Sequence, residues 1–301
     1  MKMKIIRHVF TAILLVLPAC IAAGGTKGEE ADLSAVRAFV SILPQSYFVE
    51  RIGGMRVRVE VLVEPGKSPH TFELTPRQMT ALGEADLYFG IGFPFEERLL
   101  KKIQNANHRF ELVRTDRGIE RRPLDGHSRN HGNEGEPDPH IWLSVPEIRV
   151  QASNIYEALV KRDPEYKDVY RRNFEDFMKD LDGVHARLSR TFEPYRGLPF
   201  FVFHPSFGYF ADLYGLHQVP IEIEGKGPTP KQLESLIEEA KSQGVKIIFV
   251  SPQFDRKGAE TVAGAIGGTV VAIDPLAKNV LENLENIAAE IEKSLEQYTE
   301  Q

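Results

Sequence analysis

The chain has 301 residues but a single cysteine, Cys20, so everything beyond it can form no disulfide of its own. Thiolate catalysis and zinc sites built on cysteine are excluded there too, because both need that side chain. Basic charge is also not in excess. The net charge of −6 argues against the phosphate backbone of a nucleic acid as a partner and is compatible with collecting cations. With 42% hydrophobic and 27% charged residues, the composition excludes a polytopic membrane protein and a largely disordered chain.

Several enzyme motifs are missing as well. The sequence has no GxxxxGK[ST] phosphate loop, no GxSxG nucleophile elbow and no HExxH zinc motif. Gly90-Ile91-Gly92 lacks the third glycine of a dinucleotide fingerprint. Histidine is therefore the residue type left to carry metal or acid–base chemistry.

The N-terminus has the features of a secretory signal over residues 1–19: a basic start, then an apolar stretch too short to span a bilayer comfortably. Leu17-Pro18-Ala19-Cys20 resembles a bacterial lipobox, whose cysteine is lipidated and becomes the new N-terminus. The alternative is a plain signal peptide with an incidental cysteine. Residues 20–33 are polar and glycine-rich, which suits a tether between a lipid and a folded body. We therefore expect an extracytoplasmic protein, periplasmic or on the cell surface, anchored through Cys20.

Short apolar runs alternate with helical patterns along the rest of the chain, which predicts an α/β protein with parallel sheets. The predicted strands cover residues 57–63, 87–92, 110–113, 200–203, 219–223, 245–250 and 269–273. The predicted helices between them cover residues 75–86, 95–103, 207–214, 229–243, 257–266 and 280–297. Because the two halves repeat this rhythm, we expect two similar α/β lobes.

The middle of the chain predicts long helices. One begins at the capping box 144–147, and a longer one begins at Asp163-Pro164 and runs to Glu193 with a single apolar stripe. This second helix is interpreted as a rigid connection between the lobes, although an ordinary surface helix would show the same stripe. The expected domains are an N-terminal lobe (34–163), a linking helix (164–193) and a C-terminal lobe (194–301). Residues 115–139 form a long irregular loop, which carries His127 and His131.

Three histidines share a context. His70, His140 and His204 each lie next to a proline, at or just beyond the end of a strand or loop. Asp274 ends a predicted strand in the same way and precedes Pro275. Ligands of open α/β sheets bind outside the carboxyl ends of the strands. Each histidine alone is more often structural, but three imidazoles and one carboxylate together satisfy a tetrahedral zinc ion.

Four segments containing these residues resemble the ligand loops of one transport family. They are GKSPHTFELTP (66–76), DPHIWLS (138–144), FHPSFGYF (203–210) and IDPL (273–276). In this order they resemble the zinc-type cluster A-I substrate-binding proteins of ABC transporters, the ZnuA/TroA-like periplasmic solute-binding family, over residues 34–297. The resemblance implies two α/β lobes bridged by a long helix, with the metal in the cleft between the lobes. It also implies a monomeric binding protein, not an enzyme, that passes the ion to a membrane permease.

The resemblance favours Zn²⁺ as the transported ion. Manganese-type members tend to have a carboxylate where this chain has His204, and nitrogen-rich sites suit zinc better than manganese. The loop with His127 and His131 resembles the family's histidine-rich loop but is short, and Ser251 stands where many relatives carry an acid.

Other interpretations remain open at this point. One is a manganese- or iron-type receptor of the same family, and a weaker one is a surface adhesin. A zinc hydrolase with the same ligands is a third, although four protein ligands would close the position that catalytic zinc keeps for water. With three unperturbed imidazoles, zinc affinity is expected to fall steeply between about pH 7 and pH 5.

Overall fold

A computed structural model describes residues 35–103, 109–125, 136–222, 229–254 and 256–296. Within them lie two four-stranded sheets in which every paired strand is parallel. The first has the order β2-β1-β3-β4, with β1 Val36–Val40, β2 Val57–Val61, β3 Leu87–Gly90 and β4 Glu111–Arg114. The second repeats this arrangement as β6-β5-β7-β8, with β5 Pro199–Val202, β6 His217–Pro220, β7 Ile247–Val250 and β8 Thr269–Ala272. The prediction of two similar parallel-sheet α/β lobes is confirmed.

Helices accompany both sheets. Those of the first half are α1 Leu43–Gly53, α2 Pro76–Gly83, α3 Pro94–Ile103 and α4 Val145–Arg162. The long α5 Lys167–Phe192 follows, and then α6 Gly208–Tyr214, α7 Pro230–Ser242, α8 Arg256–Ile266 and α9 Val280–Glu296. In the part of the chain that the structure describes, no helix has the length and apolar character needed to cross a membrane.

Strand β1 and helix α1 are not predicted from the sequence. Four of the five β1 residues are buried, so this inner strand lacks the alternation that marks a half-exposed strand. The residue before α1 is Ile42, whose side chain offers no capping oxygen, so the usual start signal is also absent. A helix that begins without a polar cap is hard to recognise from sequence.

Two helix starts follow from capping boxes that the sequence shows. Thr75 accepts the backbone N–H of Gln78 through its hydroxyl at 3.3 Å, and the Gln78 side chain accepts the Thr75 N–H at 3.1 Å. Thr229 and Gln232 form the same pair at the start of α7. Each pair satisfies amide groups that a helix start leaves free, and thereby fixes where the helix begins.

Helix α5 packs against both halves of the fold. Its buried face consists of Tyr170, Phe177, Leu181, Val184, Leu188 and Phe192. This face contacts α1 and α4 of the first lobe and α6 and α9 of the second. One cluster of buried apolar side chains therefore runs from β1 and β3, through α5, to β5 and α9. The predicted long helix between the lobes is confirmed.

Candidate metal centre

Three imidazoles from distant parts of the chain converge on one point. The Nε2 atoms of His70 and His140 are 3.3 Å apart, and those of His204 lie 3.2 Å from His70 and 3.3 Å from His140. A tetrahedral ion with zinc–nitrogen bonds of 2.0–2.1 Å separates its ligand atoms by about 3.3–3.4 Å. The three nitrogens thus already have the spacing of one face of such a tetrahedron.

Local backbone structure delivers each histidine to this point. His70 lies in a short 3₁₀ turn, Pro69–Thr71, and its N–H donates to the Ser68 hydroxyl at 3.3 Å. His140 immediately precedes a second 3₁₀ turn, Ile141–Leu143. His204 follows β5 by two residues, at the carboxyl end of the second sheet. The first lobe therefore contributes two imidazoles and the second lobe one.

Two of the rings are oriented by carboxylates. His140 Nδ1 lies 2.7 Å from Asp138 Oδ1, and His204 Nδ1 lies 2.8 Å from Glu222 Oε2. Both carboxylates are buried, with relative exposures of 0% and 6%. A carboxylate at Nδ1 fixes the proton there, which leaves the Nε2 lone pair free for a metal.

Neither orienting carboxylate, Asp138 or Glu222, is predicted as a site residue from the sequence. Asp138 stands in the segment DPHIWLS without a predicted role, although the Asp-Pro-His spacing lets its side chain reach the His140 ring and N–H. Glu222 follows the end of β6 by two residues, which is the same offset that places His204 after β5. The predicted strand 219–223 ran past this point, so the signal was hidden by a misplaced strand end.

The surroundings of His70 and His204 favour their neutral form. Burial of the ring, together with the nearby His140 and His204, holds the pKa of His70 well below its ordinary value. Burial also lowers the pKa of His204, although its hydrogen bond to Glu222 acts in the opposite direction. Neutral imidazole is the form that binds metal. The expectation of unperturbed pKa values is therefore wrong for His70 and His204.

Asp274 is not part of the converging set. Among the described residues, the ligand atoms that lie within 4.8 Å of one another belong to His70, His140 and His204 alone. Asp274 Oδ1 instead accepts hydrogen bonds from Gln253 Nε2 at 2.8 Å and from the Leu276 N–H at 2.9 Å. The structure thus brings together three of the four expected ligands and places the fourth in a neighbouring hydrogen-bonded position.

Apolar side chains enclose the centre. Trp142 packs against His140 with ring centroids 5.2 Å apart, and its indole N–H donates to the Pro275 carbonyl at 2.7 Å. Phe254 stacks on His204 at 4.4 Å, and Phe93 meets His70 edge-on at 5.7 Å. Such walls limit access of water and strengthen electrostatic interactions inside.

Three residues singled out from the sequence lie outside the described residues. They are the lipobox cysteine Cys20 and the loop histidines His127 and His131.

The chain is similar to known metal-transport proteins over most of its length. The sequence model of the family described as "ZnuA: Zinc-uptake complex component A periplasmic" matches residues 39–300. A solved structure, "Crystal structure of ZnuA", is 39% identical, covers 87% of this chain and 99% of its own, and superposes with a TM-score of 0.82.

Among characterised sequences, two streptococcal lipoproteins are similar to this chain. The manganese ABC transporter substrate-binding lipoprotein PsaA of Streptococcus pneumoniae is 26% identical over 276 residues, which is 87% of this chain and 86% of PsaA. The iron ABC transporter substrate-binding lipoprotein MtsA of Streptococcus pyogenes is 28% identical over 274 residues, or 87% and 85% of the two chains.

Proposed function

We propose that this chain, which belongs to the ZnuA family, captures Zn²⁺ and delivers it to the membrane permease of an ABC importer. At the coarser level the chain is a substrate-binding protein of a metal ABC transporter, and such proteins work with a permease. The family consists of binding proteins, so the hydrolase considered from the sequence is excluded.

The observation that carries the choice of zinc is the set of donor atoms. All three converging atoms are imidazole nitrogens. Nitrogen donors suit zinc, whereas manganese prefers carboxylate oxygens. Relatives named for manganese and iron exist, so family membership alone does not select the ion.

Asp274 is our proposed fourth ligand. Its hydrogen-bond partners Gln253 and Leu276 both line the pocket that contains the three histidines. An oxygen ligand would complete a tetrahedral N₃O site for zinc. We also retain His127 and His131 as a proposed weaker zinc site, separate from the three converging histidines.

Competition between zinc and manganese tests this proposal. We expect the protein, stripped of metal by a chelator, to bind zinc at least about 100-fold more tightly than manganese at pH 7, following ligand softness and the general affinity order. The single tryptophan, Trp142, contacts His140, so its fluorescence reports occupancy. His204→Glu replaces a nitrogen by an oxygen ligand and should narrow the preference. Equal affinities in the wild-type protein would contradict the assignment of zinc.

We further propose that the mature protein is a monomer anchored outside the cytoplasm by a lipid on Cys20, with residues 1–19 as the signal and 20–33 as the tether. Relatives of this chain are named as lipoproteins. Acyl chains bind membranes with about 0.8 kcal/mol per buried CH₂.

Cys20→Ala should therefore move the protein from the membrane fraction to the soluble fraction with its zinc affinity unchanged. Fractionation followed by immunoblotting measures this change. His217→Ala, at an exposed residue of β6, should stay with the membrane and serves as the control. Unchanged membrane association of Cys20→Ala would refute the lipid anchor.

A further inference from the structure

One arginine, Arg122, lies at the base of the long loop. Within that loop, residues 122–124 and 136–138 run antiparallel to each other, because the Leu124 N–H donates to the Glu136 carbonyl and the Asp138 N–H donates to the Arg122 carbonyl. The two hydrogen bonds are 2.9 and 2.8 Å long. This pairing fixes Arg122 directly opposite Asp138, the carboxylate that orients His140.

The guanidinium of Arg122 binds three aspartates at once. Its Nη1 donates to Asp138 Oδ2 at 3.1 Å, and its Nε donates to Asp212 Oδ2 at 2.8 Å. Asp125 accepts from both terminal nitrogens, at 3.2 and 3.0 Å. A planar guanidinium with five donors can hold such a set, whereas a lysine ammonium cannot match its geometry.

These contacts join a metal ligand to the opposite lobe. Asp138 uses one oxygen for Arg122 and the other for the N–H and Nδ1 of His140. Asp212 belongs to α6 of the second lobe. In the same helix, Tyr209 accepts the Arg122 N–H at 3.2 Å and donates to the Asp138 carbonyl at 3.1 Å. Arg122 is therefore bonded simultaneously to the partner of His140 and to the lobe that carries His204.

The second lobe leaves room for this arginine. A Cβ atom added to Gly208, the first residue of α6, would lie 1.7 Å from Arg122 Nη1 and 3.0 Å from Asp138 Oδ2. Any residue other than glycine would therefore displace the guanidinium. Close approach of another group is one of the reasons a chain requires glycine at a given position.

We propose that Arg122 is a positioning residue for metal capture. It holds the fully buried Asp138 in the orientation that directs His140 Nε2 towards the ion. It also bonds to Asp212 of α6, which keeps the distance between the Nε2 atoms of His140 and His204 constant. This inference rests on the proposed function, because it concerns the same metal centre. Partners that orient metal-ligating histidines typically change metal affinity by about 10- to 100-fold when they are removed.

The proposal is tested by measuring the zinc affinity of variants. The measurement uses the full mature chain and a chelating competitor. Arg122→Gln is expected to bind zinc about tenfold more weakly than the wild type. Arg122→Lys keeps the positive charge but not the planar set of N–H donors, so it should recover only part of the zinc affinity lost in Arg122→Gln. Gly208→Ala should reproduce the loss with Arg122 still present. In an Asp138→Asn background, Arg122→Gln should change the affinity less than twofold, because its route to His140 is already broken.

Arg56→Gln is the matched control. The side chains of Arg56 and Arg122 are 16% and 17% exposed, and Arg56 pairs with Asp163. A general effect of losing a largely buried arginine would therefore appear in both variants. Arg56→Gln should lower the melting temperature and leave zinc affinity unchanged.

Other results for zinc affinity would contradict the positioning role or the proposed function. Full recovery by Arg122→Lys, or tighter zinc binding by Arg122→Gln, would overturn the positioning role, since charge alone would then explain the effect. An unchanged affinity in a folded Arg122→Gln protein would overturn it too. If the wild-type chain bound no metal, the proposed function itself would fail. Should Arg122→Gln not fold, Asp212→Ala removes only the contact to the exposed acid on α6. A zinc affinity equal to that of the wild type would then decide against the link that Arg122 makes between the lobes.

Discussion

Replacing His70 with alanine is expected to weaken zinc binding by two to three orders of magnitude without destabilising the protein from which the metal has been removed. Structural zinc sites contribute about 10–16 kcal/mol in apparent binding free energy, so with Asp274 as the proposed fourth ligand each ligand accounts for roughly 2.5–4 kcal/mol. His70 is the member of the set with the most surface open to solvent, although its ring is crowded by the other two imidazoles. Removal of His140 or His204 would instead leave Asp138 or Glu222 buried without its imidazole. His70→Ala therefore separates metal binding from folding most cleanly.

Isothermal titration with zinc and a thermal melt in the presence of a chelator measure the two quantities. The matched control is His217→Ala, which also removes an exposed histidine but lies at the start of β6. Surface substitutions change stability by at most about 0.5 kcal/mol, so both variants should melt close to the wild type. Wild-type zinc affinity in His70→Ala would show that this imidazole is not a ligand.

Zinc binding is expected to resist mild acid. Three imidazoles with ordinary pKa values near 6.5 would lose several hundredfold in affinity between about pH 7 and pH 5.5, through competition by protons. The pKa values of His70 and His204 lie below the ordinary value, so these rings stay neutral further into the acid range. We therefore expect a loss of about tenfold or less over that interval.

Lowering the pH should instead reduce the free energy of unfolding of the protein without metal. Below about pH 6.5 the unfolded chain takes up protons at His70 and His204 that the folded protein does not bind. The contribution of these groups is thus present above that pH and is lost progressively as the pH falls below it. Urea unfolding with a chelator at pH 7.5 and at pH 5.5 measures the difference, which should shrink in a His70→Ala variant. A fall of several hundredfold in zinc affinity with unchanged stability would refute both expectations.

Much of the fold could be predicted because its signals are local. Thr75 and Thr229 each begin a helix through a capping pair that is written in four consecutive residues. The apolar stripe of α5 predicted a long helix whose buried face the structure confirms. By contrast, β1 is an inner strand defined by its neighbours on both sides, and nothing within its five residues distinguishes it from other apolar runs.

Some residues of the candidate site could likewise be predicted from local sequence, and others could not. His70, His140 and His204 stand in recognisable short segments, so their convergence followed from sequence. Arg122 owes its importance to Asp212, which lies 90 residues away, and to the space above Gly208. Contacts of that kind depend on how the lobes pack, and no local pattern encodes them. Asp274 shows the reverse case: its motif is clear, yet Gln253 and the Leu276 N–H bind the oxygen expected at the metal.

The continuity of the apolar core sets how the ion can leave. Buried side chains of β1, α5, β5 and α9 belong to one cluster, so a wide separation of the two lobes would expose part of it. Each 100 Å² of apolar surface exposed to water costs about 2.5 kcal/mol. Departure of a single imidazole exposes far less, and among the three converging imidazoles only His204 comes from the second lobe, which also carries the proposed ligand Asp274. A displacement of a few ångströms on that side would take His204 away from His70 and His140, so a small local movement, without separation of the lobes, would weaken the hold on a bound ion.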